Sequence, residues 1–125
     1  MTTNAHAATL TRFSGNDCTM AQFEYIATRE QGSSNYYITF RYGYIHWPNA
    51  ELPSCGPLSE PYSGVLQWKG LRNGQPFGWT TVPGSYMHTD GQSIPSFSGG
   101  GYRDVRFRAC NWNTNTGFVG TCGSG

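Results

Sequence analysis

Charge is what this chain has least of. Eight basic and seven acidic residues among 125 leave a formal net charge of +1, too little for the global field that concentrates nucleic acid or an anionic membrane. Nor does any apolar run approach the roughly eighteen residues of a membrane-spanning helix. No window of about eleven residues sustains a 3.6-residue period, so no helix is expected anywhere. There is no C-x-x-C pair, and the spacings of the four cysteines fit no common zinc module. Hydrolase signatures are missing as well, with no G-x-S-x-G elbow, no H-E-x-x-H and no phosphate-binding glycine loop. Lysine occurs once among the eight basic residues, an arginine bias that hints at a GC-rich coding genome and says nothing of function.

What is abundant points one way. Eight Tyr, seven Phe and four Trp stand beside 17 Gly and seven Pro. Disordered chains are charge-rich and aromatic-poor, the reverse of this. Aromatic and β-branched residues favour strands, and frequent Gly, Pro, Asn and Ser mark turns. The length suits one domain with a real core. The expected fold is therefore all-β, an antiparallel sandwich of about seven strands over residues 9–125, with a small barrel as the alternative. An even number of cysteines in a small Gly-rich β protein favours two disulfides and an oxidising, extracellular compartment.

Residues 1–8 are small and polar and read as a flexible N-terminal arm. Ala5-His6-Ala7 has the A-x-A look of a signal-peptidase site, without the charged start and apolar run that should precede it. Strands are expected over Thr9–Phe13, Cys18–Thr28, Tyr36–Trp47, Val65–Lys69 and Phe77–Val82, the last two joined by an Asn73-Gly74 turn. In the second, Ala21, Phe23, Tyr25 and Ala27 alternate with Gln22 and Glu24. In the third, Tyr36, Ile38, Phe40, Tyr42 and Tyr44 should share one face. The four prolines of residues 48–64 argue for a long irregular connection, tied down through Cys55 to Cys18. Residues 83–101, with a Ser/Gly tract, read as a second long loop.

Gly101–Cys122 is the clearest stretch. Val105, Phe107 and Ala109 alternate with Asp104, Arg106 and Arg108, the period-two pattern of a half-buried strand. If Asn115–Gly117 form the hairpin loop, with Gly117 at positive φ, Cys110 falls opposite Cys122 and a disulfide closes the hairpin.

Candidate chemistry is sparse. His88-Thr89-Asp90 offers two metal ligands where three or four are needed, so neither a metal nor a cofactor is called for. Glu51/Glu60 and Asp90/Asp104 are the only acids loosely placed for paired-carboxylate chemistry, and solvated surface is the plainer use of both. Most of the four Trp should build the core of a Leu/Ile-poor domain. Exposed aromatics, by contrast, stack on sugar rings and dominate protein interfaces. Tyr37, Tyr62, Tyr86 and Trp112 border loops or alternate away from the core face, and are the candidate contact residues. Arg106 and Arg108, flanked by Asp104, form the only local charge cluster and complete the six candidate contact residues, although an Asp–Arg ladder across strands is the plainer use of them.

The C-terminal ACNWNTNTGFVGTC, with the Arg-rich strand before it, resembles small secreted β proteins of filamentous actinobacteria, some of which join lectin-like or toxin assemblies. That resemblance implies an extracellular bacterial protein and assigns no site residue. The expected function is a secreted, non-enzymatic binding module whose partner is a glycan or a protein, without nucleic acid. The alternative is a structural subunit of an assembly, filament, toxin particle or virion, in which the N-terminal arm adds as a strand to a neighbouring copy.

Overall fold

The computed structural model describes residues 5–56 and 62–124. Eight strands follow one another: β1 (Ala5–Phe13), β2 (Met20–Arg29), β3 (Tyr36–His46), β4 (Tyr62–Arg72), β5 (Gln75–Tyr86), β6 (Gln92–Ile94), β7 (Phe97–Asn113) and β8 (Val119–Gly120). All pairings are antiparallel. The sheet order is β1-β2-β3-β7-β4-β5, with β6 on β3 and β8 on β7.

The long strand β7 joins the two halves. Phe97–Tyr102 pair with β3, and Tyr102–Asn113 pair with β4. At the changeover Gly101 and Asp104 take positive φ, 82° and 55°, and the β4 register slips between Lys69 and Leu71. Bulges of this kind bend and twist a strand. The sheet therefore curls until its β2–β3 half faces its β4–β7 half. A sandwich-like core results without two separate sheets, because β7 belongs to both halves.

That core is aromatic. Phe23 of β2 lies against Phe40 and Phe107, each at 4.7 Å between ring centroids, and Tyr25 meets the Phe107 ring edge at 5.3 Å. Trp68 touches Phe77, Phe97, Tyr102 and Phe107. Phe23, Phe40 and Phe107 are essentially fully buried, along with Ile38, Ile45, Leu66 and Met87. Each large ring removed from water contributes on the order of 2–3 kcal/mol. Burial raises the pKa of the Tyr25 phenol to about 12, since the phenolate is disfavoured away from water and the neighbouring Tyr102 adds to the effect.

Both disulfides pair as expected, Cys18–Cys55 and Cys110–Cys122. The hairpin register differs by one residue: Asn111 pairs with Gly120 and Trp112 with Val119. The loop runs over Thr114–Gly117, closed by hydrogen bonds from the Gly117 N–H to the Asn113 carbonyl (2.7 Å) and from the Asn113 N–H to the Phe118 carbonyl (2.8 Å). Cys122 still reaches Cys110, because Thr121 takes φ 51° and turns the chain back.

Three strand readings need correcting. Tyr42 and Tyr44 are exposed, 64% and 42%, while Gly43 and Ile45 are buried. Tyr42 sits at φ 52° beside a register shift opposite Gln22/Glu24, and one extra residue in a strand moves everything after it to the other face. Residues 83–101 are mostly strand, comprising the end of β5, all of β6 and the start of β7. Finally, β1 begins at Ala5, inside the stretch read as an arm, and pairs Ala5–Ala8 with Thr28–Tyr25. Residues 1–4 lie outside the described residues, as does Glu60.

Candidate functional site

Tyr86 and Trp112 meet because of a bulge in β5. Across β4 and β5, Gln67 pairs with Thr81 but Val65 pairs with Tyr86, so Pro83-Gly84-Ser85 is extra chain in β5. Gly84 adopts φ 74°, and a Cβ there would sit 2.7 Å from the Pro95 ring, which only glycine avoids. The Ser85 hydroxyl fills the gap in the ladder, donating to the Leu66 carbonyl at 2.8 Å and accepting from its N–H at 3.3 Å. The bulge sets Tyr86 against Trp112, ring edge to face, at 4.7 Å.

The next residues lock that geometry. Met87 is fully buried, its N–H donates to the Gly64 carbonyl and its carbonyl accepts the Ser63 hydroxyl. With Met87 inward, Tyr86 and His88 project outward on either side of it, and His88 stands edge-on to Trp112 at 6.1 Å. Gln92 clamps the turn: its side-chain amide donates to the Tyr86 carbonyl at 2.8 Å and accepts from the N–H groups of His88 and Thr89. The Tyr86 hydroxyl bonds Thr81. Three rings are thus held by backbone and buried side chains.

Trp112 is only half-buried as a residue, yet its indole N–H is shielded from solvent and has no acceptor among the described residues. Trp47 shows the ordinary outcome, donating its indole N–H to the Gly56 carbonyl at 2.8 Å. A buried donor without a partner costs on the order of 1–3 kcal/mol. Two hollows meet at Trp112. One of about 440 Å³ is lined, among the described residues, by Trp47, Pro53 and Cys55 on one side and by Tyr62, Trp112 and Phe118 on the other. The second, of about 210 Å³, is lined by Tyr86, His88, Trp112 and Gly117. Tyr62 and Phe118 stand 59% and 72% exposed at the rim. A third hollow of about 480 Å³, between Arg12, Asp17 and Gly123, lacks converging groups: the Arg12 guanidinium is already bonded to the Phe107 and Thr11 carbonyls.

The structure brings together three of the six candidate contact residues: Tyr62, Tyr86 and Trp112. Tyr37 lies beside the opposite end of β7, its hydroxyl bonded to Ser98 at 3.1 Å. Arg106 and Arg108 share the outward face of β7 with Trp112 but stand farther along the strand. The expected Asp–Arg ladder does not include Arg108, which donates twice to the Gln67 side-chain oxygen (3.0 and 2.8 Å) and lies 4.2 Å over the Trp79 ring. Asp104 instead approaches Arg103, at 4.0 Å. Desolvation pulls the Arg108 guanidinium below the ordinary arginine pKa.

Sequence reasoning missed His88 and Phe118 as site residues, and Gln92 as the clamp. The aromatic–apolar–aromatic run Tyr86-Met87-His88 was the available signal, a short strand end with its middle residue inward. The two residues weighed as metal ligands stand apart in role: His88 faces Trp112, while Asp90 accepts the Trp47 N–H at 2.8 Å and lies 3.7 Å from His46. No group of three or more His, Cys, Asp or Glu residues is placed to hold a metal ion among the described residues, and no helix is long and apolar enough to cross a membrane. No protein-family model matches the chain, and neither the curated proteins nor the solved structures contain a significant match to it.

Proposed function

We propose that this protein is a secreted, non-enzymatic carbohydrate-binding module that engages its ligand at the Trp112 end of the curled sheet. The observation that carries this reading is the set of rings around Trp112, fixed in place beside two open hollows, with an indole N–H that has no acceptor among the described residues. Sugar rings offer apolar faces for aromatic stacking and hydroxyl oxygens that accept hydrogen bonds. A pre-positioned ring loses little freedom on binding, which favours affinity. Two disulfides suit an oxidising, extracellular setting. The test is a glycan array with wild type and Trp112→Ala. The reading expects a defined set of glycans bound by wild type and weakened at least about tenfold by the substitution; uniform silence on the array overturns it.

A second reading, an assembly subunit, draws on the sheet edges. Edge strand β5 carries Pro76 and Pro83, which blunt pairing. Edge strand β1 has no proline. Under this reading a copy adds to β1, and the protein sediments as an oligomer that a proline at Thr9 dissociates.

A further inference from the structure

The two hollows that meet at Trp112 differ in size and in shape. The larger, about 440 Å³, falls within the roughly 300–1,000 Å³ of small-molecule sites. The smaller, about 210 Å³, lies below that range and suits a substituent better than a whole sugar ring. Ring orientation says what kind of substituent. Tyr86 is inclined at 61° to Trp112, with centroids 4.7 Å apart, and His88 stands at 88° to the same ring, 6.1 Å away. A sugar stacks through one flat apolar face, which asks for one ring plane. Rings set this steeply form a recess instead, enclosing a small apolar group on several sides. Gly117, at φ 75°, adds no side chain to it.

The recess is largely apolar, with one polar edge. Among the described residues it is lined by no Asp, Glu, Lys or Arg, so it offers no counter-charge to a carboxylate, sulfate or ammonium group. His88 is exposed. Its backbone N–H is taken by Gln92, and no hydrogen bond or ion pair engages its ring nitrogens among the described residues. A neutral imidazole carries one donor and one acceptor, and can meet either the N–H or the C=O of an amide. A methyl group joined to an amide therefore matches both parts of the recess, the methyl between the rings and the amide at the imidazole. In a sugar that substituent is the acetamido group.

We propose that the ligand is a 2-acetamido sugar, its ring in the larger hollow against Trp112, its acetamido methyl in the recess between Tyr86 and Trp112, and its amide at His88. This rests on the carbohydrate-binding reading above and names the class of sugar. Met87 and Gln92 act by positioning. The buried Met87, together with the Gln92 bonds to the Tyr86 carbonyl and the His88 N–H, holds the two rings at the angle of the recess.

Calorimetric titration of the full chain tests it with pairs of saccharides that differ only in the group at C2: chitotriose against cellotriose, and methyl N-acetylgalactosaminide against methyl galactoside. Methyl fucoside, which has a methyl group without an amide, and choline, a methylated cation drawn to aromatic faces, complete the set. At least one acetamido sugar binds about tenfold or more tightly than its hydroxyl partner, and the pair with the larger gap identifies the sugar. His88→Ala narrows that gap to about threefold or less, because the amide loses its hydrogen bond. Equal binding within both pairs, or tightest binding of the fucoside, would overturn the acetamido proposal and leave the carbohydrate reading standing. A gap that His88→Ala leaves intact overturns it too, as does tighter binding of choline than of any saccharide. Silence toward every saccharide overturns both readings.

Discussion

Trp68 and Trp112 are the same residue type on two neighbouring, hydrogen-bonded strands, and they have opposite surroundings. Trp68 is buried, with Phe77, Phe97, Tyr102 and Phe107 around its ring. Trp112 has Tyr86 and His88 at its ring, hollows on both sides and an indole N–H without an acceptor among the described residues. In the core the rings of Phe23, Phe40, Trp68 and Phe107 pack on one another, and they supply stability. At the end of the sheet the rings are equally well positioned but incompletely covered. On the carbohydrate-binding reading, an ordered aromatic with unfilled contacts is the surface that takes the ligand, and that would separate scaffold from site in this fold.

The comparison breaks most readily on stability. Phe107→Ala should cost about 4 kcal/mol, the range for deleting a large buried ring. Trp112→Ala should cost about 1 kcal/mol or less, both read from urea unfolding midpoints. Equal losses would make Trp112 a core residue. The disulfides sharpen the same contrast. Cys18–Cys55 spans 37 residues and Cys110–Cys122 spans 12. On chain-entropy grounds, losing the first through paired Cys→Ser changes should cost about 4 kcal/mol and losing the second about 3. The second pair braces the hairpin that carries Trp112, so its removal should weaken ligand binding more than removal of the first. A reversed order on either scale would contradict this division.

Much of the scaffold was legible in the sequence, and the site was legible only in part. Period-two alternation located β2, β3 and the second half of β7, and Asn73-Gly74 marked a real turn, at φ 51° and 78°. Cysteine number and placement predicted both disulfides. What escaped was set by long-range pairing. The bulge at Tyr42 depends on how β3 meets β2, so nothing local announced that Tyr42 and Tyr44 would turn outward. Pro83-Gly84-Ser85 and the Ser/Gly tract that follows Phe97 carry loop composition, yet the first is a bulge inside β5 and the second pairs with β3. Tyr86 and Trp112 were separately legible as boundary aromatics. Their convergence was not, because it needs the β5 bulge and the β4–β7 register together.

Two smaller effects probe the scaffold alone. Tyr25 has a folded pKa of about 12 against an ordinary value of 10.0. A raised folded value means that its contribution is fully present below pH 10 and is lost as pH rises toward 12. Tyr25→Phe should therefore lose less stability than wild type across that interval in parallel unfolding titrations; identical slopes would show that the phenol is not desolvated. Tyr42→Gly should stabilise by about 1 kcal/mol, since a non-glycine residue at φ 52° is disfavoured. A destabilised variant in thermal melts would show that the exposed ring contributes more than its backbone costs.

The central claim is that the Trp112 ring stands ready for a ligand while Trp68 is enclosed by core rings, and the indole N–H resonances report it directly. In protein labelled with ¹⁵N at tryptophan, titration with a glycan that the protein binds should shift the Trp112 indole resonance most strongly and leave Trp68, in the core, in place. Shifts confined to Trp47 or Trp68, or none at any indole, would contradict it.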